Sequence, residues 1–424
     1  MLEKVSLFRT KGDFFYFILL MFLLFLLSIS YEFFNYKQLT KFDSQLINAV
    51  VLKQYTKTKL TKKGNLKSYQ VLQLKSSTGF TFYTIASKNL QNIHFKHIQL
   101  EVWTGKISFY EYIHGFFCFS KILQIYKEPT LKEKFNSAID AQHKDKNISL
   151  IYQALFSAKQ LPREIQSKFS QLGISHLIAI SGFHLGVLSF ILFFLLKYPY
   201  KFFQNLYFPH RSIKRDSFFI VSAILLIYLL FLDAPPSLVR AFTMLLLGFL
   251  LYDRAITIIS MQTLLVTTLL ILALFPRLLF SIGLFLSLAG VFSIFLFFNY
   301  FKEMANKWQF FILPIWVYLM MLPYSLLLFG NFTLYHPLSI LYSILFTLFY
   351  PLSIALHFIG NGDLLDPLLQ GLLSLQTKSI TLELPLWLAV FPITLSFLTL
   401  YKKNFIYPLL LLNCYFLYYS FSQL

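Results

Sequence analysis

Charged residues are scarce in this chain of 424 residues. Only 13% are Asp, Glu, Lys or Arg, whereas 57% are hydrophobic and 19% are aromatic, and the mean hydropathy is +0.63. A soluble domain needs a hydrated surface and does not reach such values, so this composition excludes a soluble globular protein. It indicates an α-helical polytopic membrane protein instead.

Cysteine is rarer still, with only Cys118 and Cys414. Both lie in apolar stretches, which argues against a disulfide framework and for ordinary buried side chains. The sequence also has no Walker loop and no HxHxD metal-hydrolase motif, so we expect no nucleotide-driven or nuclease chemistry within it. We therefore predict no catalytic residue and no cofactor. No metal site is expected either, because His176 and His184 have no carboxylate at ligand spacing.

The first apolar run lacks the small-x-small cleavage site of a signal peptide, although Lys4, Arg9 and Lys11 precede it. We therefore expect residues 1–31 to be a retained membrane anchor. A helix needs about 20 apolar residues to cross the hydrocarbon. On that basis the sequence predicts about ten spans, at 14–31, 177–197, 217–232, 237–252, 256–275, 278–300, 309–329, 335–359, 384–401 and 405–420.

Acidic residues are few relative to basic ones, 18 against 37. The long polar region 31–175 holds 21 Lys or Arg and 9 Asp or Glu, which is 12 of the formal charge of +19. By the positive-inside rule, the amino terminus is cytoplasmic and residues of about 32–174 are extracytoplasmic. A basic external domain suggests a polyanionic partner such as nucleic acid, anionic polysaccharide or lipid headgroups. Solubility, or clamping on headgroups, is the alternative explanation of this charge.

Within this region, residues 32–110 are expected to form one domain, and the pattern from 45 to 103 is strand-like. Residues 98–103 alternate apolar and polar side chains, as a half-buried strand does. Strands are predicted at 46–55, 69–75, 80–85 and 98–103, with turns at Gly64-Asn65 and Gly79. Four or five short strands in this length favour a small OB-like β-barrel. The aromatic residues Phe82, Tyr83 and Trp103 would suit stacking on single-stranded bases, or would form the core of the barrel.

Residues 111–174 are predicted to be an amphipathic helical connector. Between Glu111 and Tyr126, apolar residues recur every three or four positions, a pattern typical of a helix on a membrane surface. Pro162 should open a second amphipathic helix that ends at Gly173. Residues 175–424 then form the main transmembrane domain.

The segment GISHLIAISGFHLG at 173–186 places two histidines, two serines and three glycines at the start of an apolar helix. Polar groups at membrane depth are unfavourable unless they are buried in protein or line a watery path. We expect a helix break at Ser181-Gly182 that presents free amides to an anion. Close helix packing at small residues is the alternative.

Asp233 and Arg240 flank a Pro235-Pro236 turn between two predicted spans. Arg240 lies inside the second of them and needs a partner. That partner is either Asp233 or a passing phosphodiester, whose geometry the guanidinium fork matches.

A catalytic alternative also exists, because AISG at 179–182 is similar to the serine motif of intramembrane proteases. Ser181 would be the nucleophile, with His336 or His357 as the base. Nothing in the sequence fixes a serine-to-histidine distance.

These segments resemble the ComEC family of competence proteins. The segment at 173–186 is similar to the family's signature, and SLVRAFTMLLL at 237–247 is similar to its serine-valine-leucine-arginine-alanine element. Weaker similarity covers QALFSAKQLPREIQSKFSQLG at 153–173, GLFLSLAGVFSIF at 283–295 and LPYSLLLFGNFTLYHPLSIL at 322–341.

The resemblance implies an inner-membrane channel that moves single-stranded DNA into the cytoplasm during natural transformation. It implies that residues 175–424 form the channel domain, and that the DNA path includes His176, Ser181, Gly182, His184 and Arg240. Implied partners are single-stranded DNA, membrane lipids, an extracytoplasmic DNA receptor and cytoplasmic DNA-processing proteins, with homo-oligomerisation left open. A secondary transporter of an anionic lipid or glycan is the other alternative.

Two departures from the family pattern matter. Longer members continue into a metallo-β-lactamase-like domain, whereas this sequence stops at Leu424, so we expect a channel without a nuclease. The family usually has an asparagine near the position of Tyr342, which leaves any role of that asparagine in doubt here.

Overall fold

The computed structural model describes residues 7, 8, 10–60, 66–126, 128–207, 210–254, 256, 258–375, 379–382 and 386–424. This part of the chain is mainly helical. It divides into two compact units. One contains Thr10–Ala138 and Leu269–Phe280, and the other is mainly Ile139–Thr268 and Ser281–Leu424.

The elements are numbered along the chain. The helices are α1 (Lys11–Leu39), α2 (Phe109–His114), α3 (Leu131–Asp140), α4 (Lys146–Ser157), α5 (Arg163–Gln171), α6 (Ser175–Ile178), α7 (Gly182–Tyr207), α8 (Ile213–Phe231), α9 (Pro236–Asp253), α10 (Met261–Leu274), α11 (Ile282–Tyr300), α12 (Asn306–Phe329), α13 (Ser339–Phe358), α14 (Asp366–Ser374), α15 (Leu386–Leu398) and α16 (Ile406–Ser422). The strands are β1 (Ser44–Leu60), β2 (Leu66–Ser76), β3 (Thr81–Ala86), β4 (His97–Trp103), β5 (Phe116–Phe117), β6 (Ser120–Ile125), β7 (Asn331–Thr333) and β8 (Ser379–Thr381).

The first unit joins α1 to a six-stranded sheet of order β5-β3-β2-β1-β4-β6. The four predicted strands are confirmed as β1 to β4, and Gly79 lies in the predicted turn with φ +94°. The predicted Gly64-Asn65 turn lies outside the described residues. The assigned ladder is open, so a closed OB-like barrel is not shown.

The alternation of buried and exposed side chains along the strands shows which face of this sheet forms the core. In β4, Ile98, Leu100 and Val102 are fully buried, whereas Trp103 is 45% exposed. Phe82 is also fully buried and stacks on Phe116 with ring centroids 5.7 Å apart. The prediction that Phe82 contacts DNA is therefore corrected, because a ring enclosed in the core has no face open to a base.

The predicted helix over residues 111–126 is wrong beyond His114. Gly115, with φ +99°, ends α2, and the chain continues as β5 and β6. Phe116 and Cys118 are buried while Phe117 and Phe119 are exposed, so the side chains follow the period of two of a strand. The second predicted helix is confirmed as α5, which follows Pro162 and buries Ile165 and Phe169.

Seven helices of the described residues are long and apolar enough to cross a membrane: Lys11–Leu39, Gly182–Tyr207, Pro236–Asp253, Ile282–Tyr300, Asn306–Phe329, His336–Phe358 and Lys403–Ser422. The predicted number of about ten is thus too high by this criterion. The predicted spans at 217–232, 256–275 and 384–401 are helical, but the first turn of α8 carries the charged residues Lys214, Arg215 and Asp216. The other two, α10 and α15, have only 14 and 13 residues.

Candidate functional site

The predicted break before α7 is confirmed. Helix α6 ends at Ile178, and α7 begins at Gly182, after three residues outside any helix. The carbonyl of Ile180 accepts a hydrogen bond of 3.1 Å from Ser237 Oγ in the first turn of α9. The interruption is therefore held against a second helix, and it leaves the first amides of α7 without an intrahelical partner.

Ser181 and His184 hold the start of α7 together. The Ser181 amide donates to His184 Nδ1 at 3.1 Å, and Ser181 Oγ lies 3.0 Å from the same nitrogen. An amide can only donate, so Nδ1 is the unprotonated nitrogen of this ring, as in a capping box closed by the third residue of the helix. His184 is buried and packs edge-on against Tyr350, with centroids 4.5 Å apart. Its contacts position the helix end.

Neither histidine proposed as a protease base bonds to Ser181. His336 Nδ1 lies 3.2 Å from the Tyr318 hydroxyl, and His357 bonds to His143 and to the Ser353 carbonyl. Within the described hydrogen bonds, the histidine that meets Ser181 is His184.

The Pro-Pro hairpin is as abrupt as predicted. Helix α8 ends at Phe231, and Pro236 is already the first residue of α9. Asp233 and Ala234 take positive φ values of 63° and 54°. Proline suits the first position of a helix because its missing N–H would have no partner there. The hairpin places Asp233 at the end of the helix pair where α9 starts.

Arg240 is buried one turn into α9, with 6% of its surface exposed. Its Nε donates to Ser287 Oγ in α11 at 2.7 Å, and its Nη1 lies 3.1 Å from Met244 Sδ. Among the described residues, no carboxylate is within ion-pair distance of this guanidinium, so the ion pair considered with Asp233 does not form.

Gly182 provides the space for this side chain. A β-carbon added at Gly182 would lie 2.8 Å from Arg240 Nη2 and 3.1 Å from Ala241 Cβ. Helices α7, α9 and α11 therefore meet at the guanidinium. Only two of its five N–H donors have partners in the described structure, and one of those is a weakly accepting thioether. A buried cation with unused donors beside a broken helix is suited to an anionic group.

The described contacts of the other predicted site residues do not involve Arg240. His176, in α6, is exposed and has Nε2 3.4 Å from Ser343 Oγ in α13. In the sheet, Tyr83 is half-buried and Trp103 exposed. Sequence reasoning missed Ser287 and Met244 as partners of Arg240. Ser287 had one signal, since it is the sole polar side chain in GLFLSLAGVF at 283–292.

A comparison with known protein families covers this part of the chain. A family model described as "Competence protein" matches residues 156–421, which include the helix break, the Pro-Pro turn and Arg240. No curated protein and no solved structure matches the chain. The matched region is well over half of the 424 residues, and so the chain belongs to the competence protein family.

Proposed function

We propose that this protein is an inner-membrane channel that conducts single-stranded DNA into the cytoplasm during natural transformation. Membership of the competence family indicates a role in DNA uptake, and seven apolar helices indicate a membrane protein. The observation that carries the proposal is Arg240, a buried guanidinium that has unused donors and no carboxylate partner among the described residues.

The chemistry of Arg240 fits a DNA backbone. A guanidinium binds a phosphate with two parallel charge-assisted hydrogen bonds, and the free amides at the start of α7 favour negative charge as well. Such contacts do not read bases, which suits a conduit for any sequence. Transport also requires that each phosphate leave again. A single guanidinium that also bonds to Ser287 would release a phosphate more readily than a cluster of several cations.

The sheet unit is proposed to be an OB-like, extracytoplasmic DNA-binding domain. Its last two strands follow each other within a few residues. Between them the Cys118 amide donates to Tyr83 O at 3.0 Å, and the Trp103 amide donates to Phe119 O at 3.1 Å. This segment thus reaches both β3 and β4, which supports closure of the sheet into a barrel. Its basic charge and the accessible rings of Tyr83 and Trp103 suit a single strand.

The partners follow from this role. We propose an extracytoplasmic receptor that delivers DNA, cytoplasmic proteins that receive it, and no enzymatic step within this chain. Asp233, at the Pro-Pro turn, and His176, beside the helix break, are proposed to lie along the same path.

The proposal is tested by following fluorescent DNA into transformable cells that lack the gene, with and without a plasmid copy. We expect DNA to accumulate outside the inner membrane of the deletion strain and to enter the cytoplasm once the copy is restored. Normal entry in the deletion strain would overturn the proposal. It would favour a transporter of an anionic lipid or glycan, to be sought in the envelope composition of the same cells.

Ser181→Ala should leave DNA entry within about fivefold of wild type. The backbone amide that donates to His184 Nδ1 is retained in this variant, and only one neutral hydrogen bond, of about 1 kcal/mol or less, is lost. A serine protease would lose its nucleophile and with it all activity. Transformant counts at matched protein levels decide between the two, and complete loss with Ser181→Ala would contradict the channel interpretation of this residue.

A further inference from the structure

A second polar cluster lies away from Arg240 in the same unit. His143, in the loop before α4, has Nδ1 at 2.9 and 3.1 Å from the two carboxylate oxygens of Asp366, the first residue of α14. Its Nε2 lies 3.0 Å from His357 Nε2 near the end of α13. His357 Nδ1 is in turn 2.7 Å from the Ser353 carbonyl oxygen. These four groups form one hydrogen-bonded chain.

The contacts among these hydrogen-bonded groups determine how many hydrogens the groups hold. A carbonyl oxygen only accepts, so His357 Nδ1 must carry a hydrogen. Each of the other two contacts, His143 to His357 and His143 to Asp366, needs one hydrogen as well. The chain therefore holds three hydrogens, whereas two neutral histidines and an ionised carboxylate supply two.

We propose that His143, His357 and Asp366 form a binding site for one proton, and that the junction of α13, α14 and the loop before α4 depends on its occupancy. With the proton bound, the cluster is neutral overall and every contact is a hydrogen bond. Without the proton, one of the three contacts has no hydrogen. Two lone pairs, or a lone pair and a carboxylate, then face each other at about 3 Å and repel. Loss of the proton therefore loosens the junction.

The surroundings hold the chain in place. The ring of Tyr152 stacks on His143 with centroids 4.6 Å apart and planes inclined by 9°. Gln142 accepts a hydrogen bond of 3.0 Å from the Gly362 amide, and its Nε2 donates to the His357 carbonyl oxygen at 3.2 Å. The side chain of His143 is fully buried. These contacts restrict rearrangement of the rings if the proton departs.

Solvent reaches the cluster through Asp366, whose side chain is 11% exposed. It borders an open cleft of about 550 Å³ that is also lined by Lys144, Asp145, Lys146 and Asp363. Burial raises the pKa of the Asp366 carboxyl, the hydrogen bond and charge of His143 oppose that rise, and Asp363 and Asp145 add to it. A raised pKa favours retention of the proton.

The sign of the pH dependence follows from linkage. Above the ordinary histidine pKa of about 6.5, the opened junction binds two hydrogens at these groups and the closed junction three. Opening then releases one proton, so the opening equilibrium should rise by up to about tenfold per pH unit until the site itself deprotonates. The closed junction is favoured on the acidic side of this window.

Hydrogen exchange tests the proposal. The full chain in lipid nanodiscs is exchanged between pH 6.5 and 9, with rates corrected for intrinsic chemistry, and the peptide containing Gly362 reports opening because its amide bonds to Gln142. We expect opening to increase with pH in wild type. A flat wild-type profile would overturn the proposal by itself, whatever the variants do.

Two matched variants locate the proton. In Asp366→Asn the side-chain amide can donate to His143 Nδ1, which completes all three contacts without an extra proton, so the profile should become flat. Asp363→Asn removes a carboxylate from the same cleft but leaves the hydrogen-bonded groups intact, so it should keep the wild-type slope. A wild-type slope in Asp366→Asn, or a flat one in Asp363→Asn, would refute the assignment.

Discussion

Replacing Arg240 with alanine is expected to reduce transformants by about 100-fold or more while the protein remains in the membrane. The variant removes at least two charge-assisted hydrogen bonds to a passing phosphate, each of about 1.5–3 kcal/mol, and each 1.4 kcal/mol is about tenfold in rate. The measurement scores fluorescent DNA outside the inner membrane separately from DNA in the cytoplasm. We expect accumulation outside, because the proposed capture of DNA by the sheet unit does not need Arg240.

Three further variants separate charge from packing. Arg215→Ala removes an exposed arginine that pairs with Asp253 at 3.1 Å, and it should have no effect. Arg240→Met keeps much of the side-chain volume and should fail like alanine. Arg240→Lys keeps the charge but not the fork, and should be intermediate. If methionine restored DNA entry, Arg240 would act by packing and the transport role would be refuted.

Local sequence patterns predict the secondary structure where the apolar residues fit only one period. They fail where the same residues fit both the strand period and the helix period. The strands β1 to β4 were predictable because one buried face forces strict alternation. Around Phe116 to Phe119 the same rule holds, but apolar residues spaced by three or four, at Tyr112, Phe116, Phe119 and Leu123, also match a helix. The sheet prevails because Gly115 ends α2 and because β3 and β4 have edges to pair with.

The candidate site was predictable in part for a different reason. The break at Ser181-Gly182 and the Pro-Pro turn are properties of adjacent residues, so the sequence was enough to place them. The partners of Arg240 belong to tertiary structure. The choice of Ser287 over Asp233 depends on how α9 packs against α11. The proposed proton site could not be predicted for the same reason. Its hydrogen-bonded residues His143 and Asp366 are more than 200 positions apart in the sequence.

Gly182→Ala is expected to cause the second-largest loss. The new methyl group would stand 2.8 Å from Arg240 Nη2, closer than side-chain carbons approach any atom, so the guanidinium must move. Overpacking of this kind costs about 1–3 kcal/mol, and a cost of this size in placing the guanidinium corresponds to a loss of roughly 5- to 150-fold in DNA entry. Gly186→Ala, one helical turn along α7, is the matched control. A β-carbon there meets nothing within 4 Å, and transformation should stay at wild-type level.

A double-mutant cycle then shows whether Gly182 acts through Arg240. Melting temperatures of the purified protein should fall with Gly182→Ala in the wild-type background and fall less when Arg240 is already alanine, because the guanidinium that the methyl group strikes is gone. Equal losses in both backgrounds would assign the effect to the 3.1 Å contact with Ala241. DNA entry in Gly182→Ala equal to that in Gly186→Ala would show that the position of the guanidinium does not limit transport.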